Sequence, residues 1–146
     1  MNALHRIRMV LGTGLGIAAM LLAGCAGMTS SGRNVNVALS GAEQNPPVST
    51  AARGSGTITV GDDRSVSGSI SISGLAPVAA HIHVAARGKN GPVAVGLTKS
   101  SDAMWAVPAG AKFTEDQYRS FLAGETYVNF HTAANKGGEI RGQLQP

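Results

Sequence analysis

Charged and aromatic side chains are scarce in this 146-residue sequence. Charged residues make up 14% and aromatic residues 4% of the chain, whereas about 25% of an average soluble domain is charged. This scarcity argues against a helical bundle, a coiled coil and a charged disordered tail. The formal net charge is +4, but lysine and arginine form no run. The sequence therefore lacks the basic patch that is typical of nucleic-acid binding.

Cysteine occurs once, as Cys25, which excludes an internal disulfide bond. Glycine, in contrast, accounts for 20 residues, about twice its usual share. Many glycines with few charges favour short strands joined by tight turns. A chain of this length forms one domain at most.

The first 24 residues have the pattern of a secretory signal. Arg6 and Arg8 give a positively charged start, and residues 9–23 are apolar and uncharged. This apolar stretch is shorter than the ~20 residues that a membrane-spanning helix needs. It is typical instead of the hydrophobic region of a signal peptide, so residues 1–24 are predicted to be removed on export.

The predicted signal ends in Leu22-Ala23-Gly24-Cys25, which resembles the lipobox of bacterial lipoproteins. That resemblance implies a signal peptide of the lipoprotein type and lipidation of Cys25, whose acyl chains would hold the protein on a membrane. Residues 25–33 are then a lipidated, flexible tether. We expect secretion across the inner membrane and anchoring on the periplasmic or cell-surface side. An uncleaved anchor or a free thiol is the alternative.

Residues 34–146 show the alternation of apolar and polar residues that is typical of strands. The clearest case runs from Val66 to Ser73, where apolar residues or glycine alternate with serine. Thr114 and Gln117 have the spacing of a helix capping box. The sequence predicts an all-β, antiparallel, Greek-key-like sandwich or barrel with one short helix near 114–122. The other predicted strands are 35–39, 57–60, 81–85, 93–97, 127–132 and 139–144, with a loop over 41–56.

Three histidines are candidate metal ligands. His81 and His83 are two residues apart on a predicted strand and therefore share a face. If Val128 and Phe130 face the core, His131 faces outward as well. Three imidazoles from neighbouring strands suit copper or, as a second choice, zinc, and leave a coordination position open. Structural hydrogen bonds by these histidines are the alternative.

Short motifs along the chain together resemble the CHRD domain, a module of chordin and of many microbial secreted proteins. The resemblance covers Val35 to Leu144 and implies a β-sandwich-like fold, but no agreed biochemical activity. The motifs are SGAE (40–43), PPV (46–48), GL (74–75), HIH (81–83), NGPV (90–93), LAGETYVNFHT (122–132) and GEIRGQL (138–144).

A second set of residues resembles copper/zinc superoxide dismutase. The segment from Gly74 to His83 is similar to the part of that enzyme with two copper ligands. This likeness implies that His81, His83 and His131 bind copper and that Arg141 guides an anion. The fourth histidine, the zinc loop and the disulfide of that family have no counterpart here, so a dinuclear site is excluded.

Three functions follow from these residues. The first is a copper-binding module, in which Tyr127, Asn129 and Thr132 are candidates for orienting His131. The second is a metal-free module that contacts a protein or a glycan through the serines at 67, 69, 71 and 73 or through the loops of the domain. The third is a copper-dependent, dismutase-like enzyme, the only case in which Arg141 has a catalytic role.

Overall fold

The computed structural model describes residues 31–146. The predicted signal peptide, Cys25 and most of the predicted tether lie outside the described residues. Within the described range, no helix is both long enough and apolar enough to cross a membrane.

The described chain forms one antiparallel sheet of nine strands, one short α-helix, α1 (Glu115–Leu122), and a single 3-10 turn at Gly41–Glu43. The prediction of an all-β fold with a single helix is confirmed. The strands are β1 (Gly32–Ser40), β2 (Arg53–Gly61), β3 (Val66–Ser73), β4 (Ala79–Val84), β5 (Val93–Gly96), β6 (Thr98–Ser101), β7 (Met104–Ala106), β8 (Thr126–His131) and β9 (Ile140–Leu144).

The sheet curls into a nearly closed barrel. Its strand order is β5-β4-β8-β9-β1-β2-β3-β7-β6, so the two outermost strands, β5 and β6, follow each other in the chain. Only Leu97 separates them, and it donates its backbone N–H to the Ala80 carbonyl at 2.9 Å. The two ends of the sheet therefore meet through the chain itself.

Alternation along the strands builds the barrel core. In β1, Val35, Val37 and Leu39 are buried while Asn34 and Asn36 are exposed. The same pattern in β3 buries its isoleucines and leaves its serines outside. Because each strand places alternate residues inside, the barrel fills with aliphatic side chains and needs few aromatic residues.

The helix begins as its sequence predicts. Thr114 Oγ1 accepts from the Gln117 N–H at 3.2 Å, and Gln117 Oε1 accepts from the Thr114 N–H at 2.8 Å. This reciprocal capping box satisfies two N–H groups that the first turn cannot pair internally. Phe121 is fully buried and fixes the helix to the core.

Several strand boundaries differ from the predictions. β1 begins at Gly32, within the predicted tether, and β2 begins at Arg53, within the predicted 41–56 loop. The start of β2 lacks apolar side chains, and Gly56 packs closely against the neighbouring backbone: a Cβ there would lie 2.0 Å from the Ser69 carbonyl oxygen. β6 was not predicted, since all four of its residues are exposed. The three-residue β7 was also missed.

Candidate metal centre

The three candidate histidines lie together on one face of two neighbouring strands. β4 carries His81 and His83, and β8 pairs antiparallel with it so that His131 lies opposite Ala79. The ring centroids of the three imidazoles are 5.0, 5.5 and 6.0 Å apart. One ring nitrogen from each lies within 4.8 Å of the other two. Period-2 reasoning thus placed all three side chains on one face correctly.

A backbone carbonyl determines which nitrogen of His83 is free. Nδ1 lies 2.9 Å from the Gly91 carbonyl oxygen, and only a protonated nitrogen can donate to that acceptor. Nε2 is therefore left with its lone pair, and it is buried without any hydrogen-bond partner. The ring also stacks on Tyr127 at a centroid distance of 4.9 Å. Together these contacts fix the orientation of the imidazole.

His131 has a similar arrangement. Its Nδ1 lies 2.8 Å from the Lys136 carbonyl oxygen, which leaves Nε2 as the acceptor. That Nε2 is 3.1 Å from His81 Nδ1. Two nitrogens bound to one ion at ~2.05 Å lie about 3.1 Å apart when the angle at the ion is about 100°. In the metal-free chain this contact is a hydrogen bond from His81 Nδ1 to His131 Nε2, and the same spacing fits a shared ion once the His81 proton moves to its own Nε2.

Two of the three imidazoles, those of His81 and His83, favour the neutral form. Burial lowers the pKa of His81, and the neighbouring His131 and His83 lower it further. Burial also lowers the pKa of His83, although the hydrogen bond to Gly91 opposes this shift. Neutral imidazole is the form that binds metal ions. A cation would therefore displace few protons from these two rings at neutral pH.

Arg141 does not face solvent. It is 1% exposed, and its guanidinium donates to the carbonyls of Lys89 at 2.7 Å and Ala86 at 3.2 Å. It also donates to Gln143 Oε1 at 3.0 Å and lies 3.4 Å from the centre of the Tyr127 ring. This geometry does not support the guiding of an anion from solution. Arg141 instead holds the loop of residues 85–92 against the sheet.

The sequence predicts only a glycine-rich turn over 87–92 in the loop 85–92, and it predicts that the polar residues of β8 and β9 face outward. The loop instead covers those residues, and every residue of β9 is buried. Gln143 donates to the Ala85 carbonyl at 2.9 Å. Sequence reasoning missed the roles of the Gly91 and Lys136 carbonyls, because a backbone carbonyl has no signature in the sequence.

The residues predicted to orient His131 contact other groups. Tyr127 stacks on His83, and the Asn129 side chain is close enough to raise the pKa of the same imidazole. Thr132 donates to Glu139 Oε2 at 2.8 Å and accepts from the Asn135 N–H at 3.1 Å. Thr132 thus braces the loop that supplies the Lys136 carbonyl, and its influence on His131 is indirect.

The serines of β3 do line the outer face. Ser67, Ser71 and Ser73 are exposed, and Ser69 is half-buried. This surface lies on a different part of the barrel from the histidines, since β3 and β4 are separated by four strands in the sheet order.

Comparison with known proteins identifies the family. A family model described as CHRD domain matches residues 35–144. The chain belongs to the CHRD domain family. The matched CHRD span contains all three histidines, Arg141 and the loops whose Gly91 and Lys136 carbonyls bind His83 and His131. Neither curated proteins nor solved structures gave a match, so the likeness to superoxide dismutase rests on the quoted residues alone.

Proposed function

We propose that the CHRD domain of this chain binds one copper ion through His81 Nδ1, His83 Nε2 and His131 Nε2. The observation that carries this function is the buried, unpaired Nε2 of His83, whose lone pair is fixed by the Gly91 carbonyl. A buried acceptor without a donor costs free energy, and a bound cation removes that cost. The 3.1 Å spacing of the other two nitrogens supports the same site.

Copper is favoured over zinc by the chemistry of the donors. The cluster is formed by imidazoles alone, and nitrogen sites of this kind bind Cu(II) more tightly than other first-row divalent ions. Three protein ligands leave a position for solvent or a small ligand, as in open metal sites. Zinc is the second choice.

Copper titration of the purified chain tests this function. We expect one Cu(II) equivalent whose EPR spectrum shows several nitrogen couplings, and His83→Gln should weaken binding at least about 100-fold. Thr114→Ala is the matched control: loss of the helix cap lowers stability by about 1 kcal/mol without touching the site. Weak copper binding that is unchanged in His83→Gln would overturn the proposal.

We further propose that Cys25 carries lipid and anchors the domain to a membrane, on the periplasmic or cell-surface side. The support is the lipobox-like sequence, with the single cysteine directly after a small-residue pair. Mass spectrometry of the mature chain should find an acylated Cys25 at its N-terminus. Cys25→Ala should move the protein from the membrane fraction to the soluble fraction; continued membrane association would contradict the anchor.

A second candidate function is metal-free contact with a protein or glycan through the serine face of β3. The exposure of Ser67, Ser71 and Ser73 supports it. Capture of a partner that persists in the metal-stripped His83→Gln protein but is lost in Ser71→Arg would favour this function. Capture that depends on copper would argue against it.

A further inference from the structure

Asn129 lies at the floor of the histidine cluster. It is the cross-strand partner of His81 and lies between Tyr127 and His131 along β8, so it shares the face of all three histidines. Asn129 is 2% exposed, and its side-chain oxygen Oδ1 is buried without a hydrogen-bond partner. An unpaired amide oxygen therefore belongs to a residue on the same face as the three histidines.

The surroundings of Asn129 indicate where this oxygen points. Its amide nitrogen lies 2.8 Å from the position that a Cβ of Gly138 would occupy, and Gln44 Nε2 lies 2.3 Å from the same position. The nitrogen therefore faces Gly138 and Gln44. The oxygen is the other branch of the same planar amide and lies farther from Gly138. The Asn129 side chain contacts His83, whose Nε2 is also unpaired.

Two buried acceptors on the same side of a site need a donor or a cation between them. Ligation by His81 through Nδ1 would keep an ion near the sheet, because Nδ1 is closer than Nε2 to the Cβ of a histidine. Directly opposite residues have Cβ atoms about 4.5–5.5 Å apart. The short side chain of Asn129 can therefore reach a group bound to an ion at that depth.

We propose that the amide oxygen of Asn129 accepts a hydrogen bond from the water that occupies the open position of the copper ion. This inference rests on the proposed copper site. Asn129 is then a positioning residue for the solvent ligand. Water is a hard oxygen ligand and binds Cu(II) better than Cu(I). Asn129 therefore makes the site select the oxidised ion.

The test compares two nearly isosteric variants on the same strand. Asn129→Leu removes the oxygen acceptor. Thr126→Val is the matched control, since the Thr126 hydroxyl is also buried and unpaired but lies on the core face of β8. We expect about 10- to 100-fold weaker Cu(II) binding in Asn129→Leu, the usual effect of losing such a supporting contact. Cu(I) affinity, measured by competition with a chelator, should stay within about 3-fold.

Electron–nuclear double resonance supplies a second readout. In the wild-type protein, Cu(II) should show a coupling to exchangeable protons that disappears in D2O, and this coupling should change in Asn129→Leu but not in Thr126→Val. If Asn129→Leu does not fold, NMR of the wild-type protein provides the test. The Asn129 side-chain amide resonances should shift when Zn(II) is added. Unchanged resonances would overturn the inference.

The outcomes separate this inference from the copper site itself. Failure of the wild-type chain to bind one copper ion overturns the proposed function. Normal wild-type binding with unchanged Cu(II) affinity in Asn129→Leu overturns only the role of Asn129. Tighter copper binding in that variant would also overturn it, because it would mean that the amide nitrogen donates to His83 Nε2 and competes with the ion.

Discussion

Two backbone carbonyls decide which nitrogen of an imidazole is available at this site. Gly91 accepts from His83 and Lys136 accepts from His131, each from Nδ1. In both rings the lone pair therefore belongs to Nε2, while His81 presents Nδ1 to the cluster. Such outer contacts commonly set the tautomer and the basicity of metal-binding histidines. His83 and His131 therefore have a fixed tautomer without an ion, whereas His81 must move its proton from Nδ1 to Nε2 before it can bind one.

The lowered pKa values of His81 and His83 predict a pH-dependent stability of the metal-free chain. Both groups start from 6.5, and the unfolded chain binds their protons more readily than the folded one. Their contribution is complete above pH 6.5 and is lost as the pH falls below it. Urea unfolding at pH 7.5 and 5.5 should show lower stability at pH 5.5, and His81→Gln/His83→Gln should reduce this difference. Equal pH dependence in both proteins would contradict the assignment.

At the scale of elements, the loop 85–92 connects the sheet to the histidines. Arg141 holds the loop from one side, and His83 binds its last turn through the Gly91 carbonyl. Arg141, Tyr127 and His83 form a continuous stack. A change in the loop should therefore alter the position of His83 in the candidate metal site, although no loop residue is a candidate ligand.

Gly91→Ala tests this link. A Cβ at Gly91 would lie 1.8 Å from the Val84 carbonyl oxygen, so the loop must move and His83 loses the carbonyl that fixes its tautomer. We expect copper affinity to fall about 10- to 100-fold. The control is Gly88→Ala in the same loop, where nothing lies within 4 Å and φ is +72°; it should cost only about 1–2 kcal/mol of stability. Equal copper affinity in the two variants would contradict the link.

Arg141→Lys keeps the charge but removes the fork that binds two carbonyls. Leaving a buried carbonyl unpaired costs about 1–3 kcal/mol, so we expect the free energy of unfolding to fall by at least about 2 kcal/mol. Hydrogen exchange should accelerate in the loop 85–92. Unchanged stability with loss of superoxide turnover would instead restore the anion-guiding role of Arg141.

At the scale of the whole molecule, binding of copper should stabilise the barrel. An ion bound to the three histidines would join β4 to β8, and the unfolded chain does not hold the three imidazoles together. Free copper at 100 times its dissociation constant should add about 2.7 kcal/mol of stability. Thermal unfolding should show a Tm that rises with copper concentration in the wild type but not in His83→Gln. A similar rise in both proteins would indicate non-specific binding.

The sequence was sufficient for the strands that alternate, the helix and the shared face of the histidines. Val66–Ser73 and the Thr114–Gln117 pair were predicted correctly because their signals are local. β6 and the start of β2 were missed, since polar and glycine-rich strands show no apolar alternation. The burial of Arg141 was missed because it depends on carbonyls 52 and 55 residues away along the chain.

The register of the sheet places the histidines and the start of β1 at opposite ends of the barrel. Ser40, Arg141, Asn129 and His81 form one row across four strands, so the histidines are level with the end of β1. Ser31 directly precedes the other end of that strand, and its carbonyl accepts from the Asp62 N–H at 3.0 Å. At the rise of an extended chain, Ser31 and Ser40 are about 30 Å apart. The barrel thus has two different ends, one near Ser31 and one near the histidines. A bead, fusion partner or surface attached through the N-terminus would hold one end of the barrel. The end that carries the histidines would stay accessible to molecules in solution.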